Sequence, residues 1–163
     1  MHVGISGQEA PPLRDVRWIG ADGKESGELS LKELGDGYRI LFFYQHACPG
    51  CHSHGFPTFA RIVERLSGSG VGFAAIQTAF EDFEDNSFER IFEDQEHYGL
   101  HIPFGHAGPE RGTSLPRIMA DYQTGGTPWF VGIGPDDKVL FNAFQVDGDA
   151  LVEALRPLLE ASE

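Results

Sequence analysis

The chain is poor in cysteine: its 163 residues hold only Cys48 and Cys51. That scarcity excludes a secreted scaffold stapled by several disulfides, and it excludes an all-protein zinc site made of four cysteines or of three cysteines and a histidine. Cations are scarce too, with 12 Lys and Arg against 25 Asp and Glu, for a formal net charge of −13. Nucleic acids and anionic membrane surfaces both call for a basic footprint, so neither is expected as a partner. No stretch approaches 18 consecutive apolar residues, which leaves no candidate for a membrane-crossing helix. The N-terminus lacks the basic start and apolar core of a signal peptide. A cytoplasmic location is therefore expected, or a periplasmic one if a leader has been removed.

What is present points to a folded domain. Thirteen Phe and a 40 % hydrophobic content supply a core that a disordered chain would lack. The length suits one domain, residues 1–163, with residues 1–14 expected as a loose extension. Short strands flanking Asp22-Gly23-Lys24 predict an N-terminal hairpin at the edge of the domain. Ser30 with Glu33 three residues on is a capping box for a short helix. Residues 39–44 and 71–76 read as strands buried on both faces. Between them Phe56, Phe59, Ile62, Val63 and Leu66 recur at helical spacing, which completes a βαβ unit. Residues 79–124 read as a helical and loop insertion in the middle of the chain. Within it, Asn86 caps an acidic helix over 87–98, and 101–112 is a loop. A hairpin over 129–144 and a last helix over 149–160 follow, with Pro157 expected to bend or shorten the last turn.

The chemistry lies at Cys48-Pro49-Gly50-Cys51. Two cysteines scattered at random in a chain of this length would fall three apart only about 1 % of the time. Placed between a buried strand and a helix, Cys48 meets unpaired helix N–H groups that stabilise a thiolate. A protonated His46 or His52 would act in the same direction. Cys48 is thus the candidate nucleophile and Cys51 the resolving thiol. His46, Pro49, Gly50 and His52 are the candidates for tuning the pair.

These features, with Gly126-Thr127-Pro128 ahead of a strand, resemble the thioredoxin-like superfamily. Within it, they are similar to the TlpA and AhpC/TSA-type thiol–disulfide oxidoreductases. The resemblance implies an α/β thioredoxin-like fold, with a central mixed sheet flanked by helices. It implies that Pro128 is cis and faces the redox pair, and that the Thr127 backbone binds the substrate chain. It further implies disulfide exchange with a protein or small-thiol partner, electrons from a dithiol protein, no bound cofactor, and a place in antioxidant defence and cell redox homeostasis. Two departures stand out. Phe42 occupies the position, six before the first cysteine, where thioredoxins carry a buried acid. Pro57 falls six past Cys51 rather than five, which points to an extra residue in the first helical turn.

Other readings of the same residues are a thiol peroxidase, covalent haem attachment, a metal site and a binding module. A peroxiredoxin carries Pro and Thr seven and three residues before its cysteine, but those positions hold Tyr44 and Cys48, or Leu41 and Gln45. Cys48-Pro49-Gly50-Cys51-His52 also matches the haem attachment pattern. His46, Cys48, Cys51, His52 and His54 could furnish a metal site, although helical spacing turns His52 and His54 to different faces, and no metal is expected. The non-catalytic alternative is a thioredoxin-fold module whose acidic helix docks a basic partner.

Overall fold

The computed structural model describes residues 4–161. A seven-stranded sheet runs through the molecule, built from β1 (Arg17–Ile19), β2 (Glu25–Ser26), β3 (Arg39–Tyr44), β4 (Gly72–Thr78), β5 (Phe104–Ala107), β6 (Trp129–Ile133) and β7 (Val139–Ala143). Its order is β2-β1-β5-β4-β3-β6-β7, with β3, β4 and β5 parallel and the remaining pairings antiparallel. The helices are α1 (Leu31–Leu34), α2 (Phe56–Arg65), α3 (Arg90–Tyr98), α4 (Arg117–Tyr122) and α5 (Gly148–Ala161).

Alternation along β3 builds the two cores. Ile40, Phe42 and Tyr44 face one side, where Phe56, Phe59 and Ile62 of α2, Ile91 of α3, and Val152 and Leu155 of α5 close over them. Leu41 and Phe43 face the other side, against Ile118 and Tyr122 of α4. Every residue of β3 and β4 is buried, as a strand covered on both faces requires. The parallel β3–α2–β4 unit and the β6–β7 hairpin stand where the sequence places them. The Ser30–Glu33 capping box is formed in both directions, at 3.1 and 3.2 Å.

Four expectations are corrected. Residues 4–14 are not a loose extension: Ile5, Ala10 and Leu13 are buried in the second core. Their backbone is tied to the β6–β7 side through Gly7 N–H to Val139 O, Val139 N–H to Gln8 O and Ala10 N–H to Asp137 O. Residues 1–3 of that stretch lie outside the described residues. Part of the expected loop 101–112 is β5, which pairs with both β4 and β1 and so belongs to the central sheet rather than to an insertion. Helix α3 begins at Arg90, and Asn86 does not cap it, because its side chain is buried elsewhere. Pro157 lies inside α5 and does not shorten it; the helix runs on to Ala161.

Candidate active site

β3 delivers the chain from the core to the C-terminal edge of the sheet, and Cys48 follows within four residues. Residues Cys51–Gly55 then form one π-helical turn before α2 begins at Phe56. A π turn holds one more residue than an α turn, which accounts for Pro57 standing six past Cys51. Cys48 and Cys51 are joined in a disulfide, with Cα atoms 5.3 Å apart. Cys48 is half-buried and Cys51 fully buried. The Cys51 N–H lies 3.2 Å from Cys48 Sγ and 3.0 Å from Cys48 O, so the helix start directs a donor at the outer sulfur.

Across from the pair, the Thr127–Pro128 peptide bond is cis. Thr127 Oγ1 is 3.7 Å and Thr127 O 3.9 Å from Cys48 Sγ. A Cβ built on Gly50 would stand 3.8 Å from Pro128 Cδ, and one on Gly55 would stand 3.1 Å from Pro128 Cβ. Cys48, Cys51, Gly50, Thr127 and Pro128 are therefore neighbours, and Pro49 is exposed at the rim. A groove of about 160 Å³ opens beside Pro128, between His54, Thr58, Phe130 and Phe144. A larger hollow of about 530 Å³ lies away from the cysteines, between residues 9–16 and 28–33.

Buried amides hold the segment leading to Cys48. Gln77 Oε1 accepts from the His46 N–H at 2.9 Å, and Asn86 Oδ1 accepts from the Ala47 N–H at 2.7 Å. Asn86 Nδ2 donates to Gln45 Oε1 and to Glu81 O, so the residue expected to cap a helix instead clamps the approach to the disulfide. Gln77 Nε2 also donates to His106 Nδ1 at 2.9 Å. That bond needs an unprotonated Nδ1, and burial above all lowers the His106 pKa to about 4.

The histidines divide. His54 is exposed and lines the groove, away from the other two. His46 Nδ1 lies 2.8 Å from Asp94 Oδ1. His52 donates to or accepts from Tyr98 Oη at 2.5 Å through Nδ1, and its Nε2 donates to His46 O at 2.6 Å. The His52 ring stacks on Phe56 and Tyr98. The Cys/His metal set that the sequence offers is thus not assembled, and a different group, His46, His52 and Asp94, is. Burial raises the Asp94 pKa, against the favourable contact with His46. Burial likewise raises Tyr44 well above its usual value, with the Asp94 charge adding to it. Sequence reading missed Asp94, Gln77 and Asn86. For Asp94 a signal was available: it lies three residues after Ile91, on the stripe that α3 buries.

No protein-family profile matches the chain, and no curated protein sequence matches it. Solved structures do. A thioredoxin-like superfamily protein shares 26 % identity at a TM-score of 0.79, covering 94 % of this chain and 96 % of its own. A thiol-disulfide isomerase from Corynebacterium glutamicum shares 27 % identity at a TM-score of 0.77, covering 92 % and 96 %. A thioredoxin-family thiol:disulfide interchange protein from Chlorobium tepidum, at 16 % identity and a TM-score of 0.66 over 98 % and 99 %, is similar in fold alone. The fold of this chain is thioredoxin-like, a mixed seven-stranded sheet flanked by helices with a C-x-x-C pair at disulfide distance.

Proposed function

We propose that this thioredoxin-like chain, acting as a single domain, is a thiol–disulfide oxidoreductase with Cys48 as nucleophile and Cys51 as resolving thiol. The observation that carries the reading is the contrast across the pair. Cys48 is half-exposed beside the Thr127–Pro128 loop with a backbone N–H directed at its sulfur, while Cys51 is wholly buried behind it. In the reduced protein, the Cys48 thiolate attacks one sulfur of a partner disulfide. A mixed disulfide forms, and the other partner sulfur leaves as a thiolate that takes up a proton. Cys51 loses its proton and attacks Cys48 Sγ, closing the intramolecular disulfide and releasing the second partner thiol. Two electrons pass to the partner, and a dithiol donor restores the reduced pair. The groove between Phe130, Phe144 and Pro128 supports an extended substrate chain lying against the Thr127 backbone. In a reducing compartment the net direction is reduction.

The test is reduction of insulin disulfides by the dithiothreitol-primed protein. Wild type accelerates precipitation, Cys48→Ser abolishes the acceleration, and Cys51→Ser accumulates a mixed disulfide with the substrate that is visible by mass. A wild-type rate equal to that of Cys48→Ser overturns the assignment.

A further inference from the structure

We propose that His46, His52 and Asp94 form a site for one divalent transition-metal ion of the Zn²⁺ type beside the disulfide. Their donor atoms all lie within 4.8 Å of one another, and they come from three different parts of the chain: the segment before Cys48, the π turn and α3. Two donors each about 2.1 Å from one ion stand at most about 4.2 Å apart, so small side-chain rotations complete the set. His46 Nδ1 and Asp94 Oδ1 are already at 2.8 Å.

The carboxylate supplies an independent reason. Asp94 is 2 % exposed, and its Oδ2 is buried with no hydrogen-bond partner. The buried Tyr44 hydroxyl faces this carboxylate and interacts with it only beyond the reach of a full hydrogen bond. A carboxylate oxygen left in that state is costly, and a divalent ion supplies the missing charge. His46 is about 30 % exposed, which provides a route in from solvent. Binding takes one nitrogen of His52 from its present partner. The other keeps its hydrogen bond, to Tyr98 or to His46 O, and so holds the ring in place. Metal binding requires unprotonated imidazole nitrogens and an ionised carboxylate, so affinity falls as pH falls. Two imidazoles and one carboxylate suit Zn²⁺, Co²⁺ or Cu²⁺. Ca²⁺ and Mg²⁺ prefer sets made of oxygen.

This site stands apart from the thiol chemistry and is tested apart from it, on the full chain with its disulfide closed so that thiolates do not compete. Calorimetric titration with ZnCl₂ is expected to show one ion per chain, with a ligand-field spectrum on substituting Co²⁺ and no binding of Mg²⁺. His46→Gln and Asp94→Asn should each weaken Zn²⁺ at least tenfold, and His54→Gln should leave it unchanged. If Asp94→Asn does not fold, the half-exposed His46→Gln carries the comparison. Equal affinity in wild type and His46→Gln, loss on His54→Gln, or Zn²⁺ bound only after reduction overturns the assignment, the last by giving the ion to the cysteines. Insulin reduction is read separately, so failure of either proposal leaves the other standing.

Discussion

His106 shows how one side chain couples the fold to pH. It sits on β5 with Nδ1 accepting from Gln77, Glu89 and Arg17 being the charges that act on it. In the unfolded chain it titrates near 6.5, and in the fold near 4. Between those values the unfolded state takes up a proton that the folded state refuses. The contribution is therefore complete above pH 6.5 and is lost as pH falls towards 4, with a slope of at most about 1.4 kcal/mol per pH unit. His106→Gln should flatten the pH dependence of urea-derived stability between about pH 6.5 and 4.5. A slope unchanged by the substitution would contradict the assignment. At this same scale the legible residues were those with a local signature. Cys48 and Cys51 show themselves by spacing, and Ser30 and Glu33 by capping chemistry. Asn86 was misread because an Asn ahead of an amphipathic run looks like a cap, while its actual partner, the Ala47 N–H, lies 39 positions away.

At the scale of the element, the π turn explains an otherwise odd glycine. Gly55 has ordinary right-handed helical angles, φ −60° and ψ −64°, where alanine would normally be the better residue. A Cβ there would lie 2.8 and 3.0 Å from ring atoms of Phe42. That ring is enclosed by Tyr44, Phe56, Phe59 and Phe130 and has nowhere to move. Gly55→Ala should therefore destabilise by about 1–3 kcal/mol, measured by denaturant unfolding, despite its gain in helix propensity. Equal or greater stability would show that the core gives way. The extra residue was readable from the place of Pro57, although its accommodation as a π turn over a packed ring was not. β5 was hidden for a different reason. Phe104-Gly105-His106-Ala107 carries no strand signature of its own and is a strand because β4 and β1 flank it.

For the whole molecule, the N-terminal segment matters more than its composition suggests. Prolines and small residues give residues 4–14 the look of a linker, yet Ile5 and Leu13 fill the second core, and Tyr122 Oη donates to Pro11 O at 2.6 Å. Removing residues 1–14 should cost on the order of 3–6 kcal/mol from the two large side chains alone, seen as a lower unfolding midpoint. An unchanged midpoint would return the segment to the status of a loose extension. The sequence by itself determined the βαβ unit, the flanking hairpins and the C-x-x-C at the head of a helix, because periodicity, turn chemistry and residue spacing are local. Only the tertiary structure decided that Asp94 from α3 meets His46 and His52, that Asn86 and Gln77 hold the approach to Cys48, and that residues 4–14 close the far face. Those pairings join distant stretches of the chain, 31 positions apart for Gln77 and His46 and 48 for Asp94 and His46. Burial, rather than any local preference, selects them.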